Sequence, residues 1–465
     1  MNALERWQQG NDAHLAAALH WLRLRLLAHS EASTEVAAPP PRRRPPWWQR
    51  LFPCLRGRKA QAQSLPAAPM VSAEELERAR RAMEEAERQE PAPALLQLAQ
   101  RLGLSRFERE LLLLCAALEL DPAVAQLCAR AQGSAQMPWP SFALAFRLLE
   151  EPSWDSLSPE RPLRHWRLLE IHQPGAQPLT ASALRADERI VSFLKGLNQL
   201  DERLNALLQP LEADPTPLPP SQEAVVARLS DSLRQGHGAA APLLQLLGSD
   251  GASQQLVAQR LAQDLGLWLY RLPVEQLPAQ AAELETLVRL WQRETLLLPV
   301  ALLLDGQAVE LAGAGDGAAA AVRRFLARCG GLTILCGREA LPDPGRPSVL
   351  VDIARPTTAE QEEFWREALG KQAGSNPSKL AAQFDLNAPA IREIAARALA
   401  EPPETPLAER LWDGCLHHSR PQFDGLAQRL ELKAGWGDLV LPEAQETLLR
   451  QIADQVRMRH RVVQE

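Results

Sequence analysis

Five apolar-strand residues, Leu243 to Leu247, run straight into Gly248, Ser249, Asp250 and Gly251 and then into a helix-forming stretch that begins Ala252, Ser253, Gln254, Gln255. A strand, a glycine-bearing turn and a helix in that order can hold phosphate. Backbone N–H groups and the helix N-terminus point at the phosphate oxygens, the lysine of G-x-x-x-x-G-K-[ST] neutralises the terminal charge, and the following hydroxyl holds Mg²⁺. Gly248 and Gly251 are present, but Ser253 stands at the second motif glycine, Gln254 at the lysine and Gln255 at the hydroxyl. If the backbone at Ser253 needs positive φ, a non-glycine residue there costs about 1–2 kcal/mol. Downstream, the apolar run 298–304 closes on Asp305, the position of the acid that helps hold Mg²⁺ in P-loop ATPases. Its neighbour Gly306 has no side chain to act as a base. With lysine, hydroxyl and base all missing, charge developing on a γ-phosphate would have no local stabilisation. ATP with Mg²⁺ is therefore expected to bind weakly or not at all, and hydrolysis is not expected.

The elements that position this loop follow from apolar patterning. Between 221 and 355, helical stretches alternate with apolar strands at 243–247, 267–272, 298–304, 332–336 and 349–353, which predicts a parallel sheet with helices on both faces. Residues 356–425 read as helical again, with segments at 358–369, 379–384, 388–399 and 406–418. Four prolines within 212–220 mark a domain break before Ser221. Upstream, 73–210 reads as a mainly helical domain: a helix closed by Gly103, another opened by Ser105 and Glu108 at capping-box spacing, a third after Asp121-Pro122 and a fourth after Pro140. Two strands about a Gly/Pro turn, 164–171 and 179–184, complete a winged-helix-like pattern. Residues 1–30 carry Leu15, Ala18, Leu22 and Leu26 at helical spacing. The Pro/Arg-rich stretch 31–72, with no acid between Glu35 and Glu74, reads as a linker.

Composition limits the function classes. The chain has 465 residues, room for two or three domains, and a formal net charge of −6, so no overall field draws it to nucleic acid. Residues 92–200 hold 11 Lys/Arg against 11 Asp/Glu, which disfavours DNA contact by the winged-helix-like domain. Apolar runs fall short of the roughly 18 residues of a membrane span, and no secretory signal is visible. Six scattered cysteines with no C-x-x-C spacing suit a reduced, cytoplasmic protein. The nine histidines show no metal-ligand spacing, and His417-His418 reads as a polar helix face. Residues 41–59 differ from the rest: seven basic residues interleave with Trp47, Trp48 and Phe52, which suits an anionic lipid surface or a single strand as well as a plain soluble linker.

An α/β nucleotide fold followed by a small helical bundle resembles an AAA+ ATPase module with its lid, over about 221–425. The stretch from Leu102 to Pro122 looks like the N-terminal winged-helix-like domain of a bacterial tandem AAA+ family. The fold class implied is α/β, a parallel-sheet P-loop AAA+ module plus helical lid, preceded by a mainly helical winged-helix-like domain. In that family a degenerate first module precedes an active second one, and some members are associated with phage-tail-like contractile particles. The resemblance places 426–465, with its Trp436, Asp438, Leu439, Val440 and Leu441, as the lead-in to a second module, for which these residues hold no second phosphate loop. It also implies that Cys336-Gly337 ends the sensor strand without the usual Asn or Thr, that Arg346 lies where an arginine finger reaches a neighbouring subunit, and that Arg392 lies near the sensor-two position. The partners it implies are AAA+ subunits in a ring, or a separate catalytic AAA+ half, and a client protein. Three functions compete: a scaffold or regulatory part of an AAA+ machine, a live ATPase with divergent motifs, and a winged-helix nucleic-acid or membrane-surface binder.

Overall fold

In the computed structural model, residues 2–36, 71–235, 241–309, 317–402, 405–419 and 435–457 are described. The Trp- and Arg-bearing stretch 41–59, most of the linker, and all of 420–434 lie outside these residues. The chain forms two compact units, Met1–Ala206 with Thr286–Leu298, and Leu207–Glu285 with Pro299–Glu465.

The first unit begins with α1 (Ala3–Val36), α2 (Ala73–Ala86), α3 (Ala94–Leu102), α4 (Arg106–Leu120), α5 (Ala123–Ala131) and α6 (Phe142–Leu148). Their starts and stops are locally encoded. Ser72 with Glu75, and Ser105 with Glu108, form reciprocal capping boxes, and Gly103 ends α3 in the left-handed region at φ 69°. A helical turn α7 (Pro162–His165) precedes β1 (Leu169–His172), which pairs antiparallel with β2 (Ala183–Ala186) before α8 (Glu188–Leu194) and the turn α9 (Glu202–Asn205). The hairpin expected from 164 thus starts five residues later, because Pro162 opens a helical turn and Arg167 takes φ 51°. Helix α1 belongs to this unit: Ala18, Trp21, Leu22 and Leu26 share one core with Leu98, Leu111 and Phe142. Buried Asn11 fixes its position, donating to Leu194 O at 2.8 Å and accepting from Ala94 N at 2.8 Å.

In the second unit, β3 (Gln209–Leu211), α10 (Pro220–Gln235), β4 (Leu243–Leu247), α11 (Gly251–Asp264), β5 (Trp268–Pro273), α12 (Ala281–Leu297), β6 (Val300–Asp305), α13 (Gly317–Leu326), β7 (Leu332–Gly337) and β8 (Ser348–Asp352) alternate in sequence. The lid helices follow as α14 (Thr358–Leu369), α15 (Asn376–Gln383), α16 (Ala388–Ala400) and α17 (Leu407–Ser419), then α18 (Glu443–Arg457). Only the first part of α12 lies in this unit; from Thr286 it belongs to the first.

The six strands lie in the order β3-β5-β6-β7-β4-β8, all parallel except β3, which runs antiparallel to β5 at the edge. Strands β4 and β7 are buried along almost their whole length, the pattern of a sheet covered on both faces. Strand β3 was not expected from sequence. Pro210 has no N–H to give a ladder, so it is tolerated only at such an edge. The lid has its own core, in which Trp365 is fully buried beside Ile391, Ile394 and Leu411. Among the described residues, no helix is long and apolar enough to cross a membrane.

Candidate functional site

The turn after β4 and the ends of β6 and β7 meet at the carboxyl edge of the sheet, where ligands bind in open α/β folds. Gly248 has φ +146°, and a Cβ there would lie 2.7 Å from Ile353 O, so the residue is held to glycine by both conformation and contact. Ser253 sits inside α11, away from positive φ, so the strain expected from it does not arise. The serine is buried within the helix.

Gln254 turns inward. It is fully buried, and its Nε2 donates to Gly248 O and to Gly337 O, each at 3.1 Å, while its Oε1 accepts from Gln307 Nε2 at 2.6 Å. Gln307 also donates to Gly248 O at 3.2 Å. Two amides thus stitch the turn to β7 from inside. Gln255, half-buried on α11, takes no part in these bonds.

Asp305 closes β6 as expected, but a cation of the protein already meets it. Arg271 on β5 donates Nε to Asp305 Oδ2 at 2.9 Å and Nη2 to the same oxygen. The other carboxylate oxygen accepts Gln307 N at 3.1 Å. Burial, and next the Asp305 carboxylate, push the Cys336 thiol far up, so this cysteine at the end of β7 stays protonated.

Asp250 immediately precedes α11 and is 6% exposed. Its Oδ1 accepts from Asn387 Nδ2 at 2.8 Å, and its Oδ2 is buried without a hydrogen-bond partner. The same Asn387 caps α16 through Ala390 N at 2.9 Å, so one side chain starts a lid helix and grips the turn. A second tie between base and lid runs from Ser221 N to Glu360 Oε1 at 2.7 Å. Burial would raise the Glu360 carboxyl, but hydrogen bonds from Ser221 and Thr357 outweigh it and hold it below its ordinary value.

The two arginines singled out in the sequence have other partners. Arg346 donates Nη1 to Cys329 O at 2.9 Å and Nη2 to Ala241 O, so its guanidinium is engaged within its own unit. Arg392, on α16, faces Glu367 at 3.8 Å. Its charge also helps lower the Asp214 carboxyl, after the hydrogen bonds from Thr216. The turn, Asp305 and Gln254 come together; Arg346 does not join them. Arg271, Gln307 and Asn387 were missed by sequence reasoning. Only Asn387, directly before Ala388-Pro389, carried a readable signal, that of a helix cap.

A mostly parallel sheet with the turn at its carboxyl edge and a helical lid behind it defines an AAA-like module, here following a winged-helix unit. Residues 357–421 match the contractile injection system ATPase helical domain, and residues 10–208 match a variant winged helix domain. A crystal structure of the FIGL-1 AAA domain aligns with 49% of this chain and 92% of its own, at 13% identity and a TM-score of 0.32. No curated protein matches the sequence.

Proposed function

We propose that this chain is a non-hydrolysing part of an AAA+ assembly. Its α/β module and lid act as a scaffold and regulatory element, its winged-helix unit recognises a partner or client, and hydrolysis is left to other AAA+ subunits or a separate catalytic half. The observation that carries the reading is the Arg271–Asp305 pair beside a turn without lysine. Mg²⁺ with ATP does not fit these residues. A guanidinium stands on the acid that the metal would need, a carboxylate stands at the N-terminus of α11, and Gln254 is spent on backbone carbonyls. The match of the lid to the helical domain of contractile injection system ATPases supports placing the assembly among such machines. Among the described residues, five free cysteines are buried, which supports a cytoplasmic setting.

Calorimetric titration of Mg²⁺ with ATP into the full chain, with phosphate release followed on the same sample, tests the reading. The expected result is no saturable heat and no phosphate above the blank. Steady release would overturn the proposal, whereas binding without release would leave a scaffold that senses nucleotide.

A further inference from the structure

Resting on the reading above, we infer that the nucleotide position occupies itself. Asp250 takes the place of a phosphate anion, Arg271 takes the place of the metal, and the Asp250–Asn387 bond latches lid to base without any ligand. Helix α11 is 14 residues long, and an anion at its N-terminus is favoured by the aligned peptide dipoles. In a phosphate-binding loop that anion is the ligand. Here it is a side chain, 6% exposed, with one oxygen held by the lid and the other buried without a partner. A phosphate entering beside it would meet like charge in a site of low dielectric. The metal position is filled in the same way: Asp305 Oδ2 accepts two N–H groups of Arg271 and Oδ1 accepts Gln307 N, so a cation would have to displace a guanidinium.

Each substitution answers the charge that the ligand would otherwise have answered, and the lid contact falls on the surrogate anion itself. Such a module holds base and lid together at all nucleotide concentrations. It would serve as a fixed element in an assembly whose other modules respond to nucleotide.

The test uses the full chain, thermal unfolding and limited proteolysis between 353 and 357, the join of base and lid. The wild-type melting temperature is expected to stay unchanged in Mg²⁺ with ATP, in MgCl₂ alone and in inorganic phosphate. Asp250→Ala vacates the helix N-terminus and cuts the latch. Cleavage should rise about tenfold, the order expected for losing one charge-assisted hydrogen bond, and inorganic phosphate should slow it and raise the melting temperature. Asn387→Ser keeps a good cap but is too short to reach, so cleavage should rise without any phosphate response. Arg271→Met should make the melting temperature respond to MgCl₂ alone. Should Asp250→Ala not fold, Asp250→Asn keeps the acceptor and removes the charge, and a phosphate response with wild-type cleavage is then expected. A wild-type shift with nucleotide or phosphate would overturn the inference, as would folded Asp250 variants indifferent to phosphate. Wild-type binding without turnover would sink this inference alone and leave the scaffold reading standing; turnover would sink both.

Discussion

Gln254→Lys, which returns to the turn the lysine that its spacing asks for, will destabilise the α/β unit by about 3–5 kcal/mol, the cost of an uncompensated buried charge, and will not confer ATP hydrolysis. The position is fully buried, and its amide both donates to two carbonyls and accepts from Gln307. A lysine ammonium can donate to the carbonyls but offers no acceptor to the Gln307 amide, which keeps its bond to Gly248 O and is left with one unpaired N–H. Asp305 is already matched by Arg271, so the new charge meets no unpaired acid on β6. Gln254→Met is the control for shape: it loses the hydrogen bonds without adding charge and should cost about 1–3 kcal/mol. Urea unfolding of both variants, with and without Mg²⁺ and ATP, separates charge from packing. A lysine variant as stable as the wild type, and stabilised further by nucleotide, would show that the site is open and only under-equipped. Even then Gly306 supplies no base, so the absence of turnover is expected to persist.

How far the sequence led depends on whether each feature is written locally. Capping boxes at Ser72 and Ser105 and the left-handed Gly103 are decided within four residues of chain, and the helices they bound lie where the spacing puts them. The runs in β4, β6 and β7 are apolar because both faces of the sheet are covered, and a continuous apolar run bounded by turns is legible as such. The turn after β4 was legible for the same reason, as a motif of consecutive positions. Its chemistry was only half legible: Gln254, Gln255 and Gly306 announce what is missing, but not what replaces it. Arg271 reaches Asp305 from 34 residues away and Asn387 reaches Asp250 from 137, and nothing in the spacing of either polar residue distinguishes it from a solvated one. Arg346 shows the same limit, since nothing in the spacing of Pro344, Gly345 and Arg346 shows that the carbonyls of Cys329 and Ala241 hold its guanidinium.

Arg293→Met is expected to cost the first unit about 3–5 kcal/mol near neutral pH, because it removes the one fully buried cation from a cluster of buried acids. Arg293 and Glu294 sit side by side on α12, and both are completely buried. Arg293 Nη2 meets Asp201, Nη1 lies 3.3 Å from Asp187 Oδ1, and Arg189 lies 3.0 Å from Glu294 Oε2. Asp187 and Asp201 keep Arg203 in the variant, which holds the loss to the scale of one broken pair. The dependence on pH follows from the acids. Burial alone would raise the Asp201 carboxyl, but the Arg203 hydrogen bond and the Arg293 charge outweigh it, so its folded value lies below the unfolded one. Its stabilisation is therefore present above the unfolded value and lost as pH falls through the folded value. Glu294 is raised by burial against the pull of Arg189 and Arg293; its ionised form is a penalty that grows as pH rises through its folded value and is relieved by acid. Without Arg293 both carboxyls move up and take protons more readily in the fold, so the deficit should shrink as the pH is lowered from neutral into the acidic range. Adding Asp201→Asn should recover part of the loss at neutral pH. Urea unfolding across that range checks the sign, with hydrogen exchange over 286–298 checking the place. A variant within about 0.5 kcal/mol of the wild type at neutral pH, the scatter of ordinary surface changes, would mean that hydrophobic packing alone keeps this stretch of α12 in the winged-helix unit and that the charges merely accompany it.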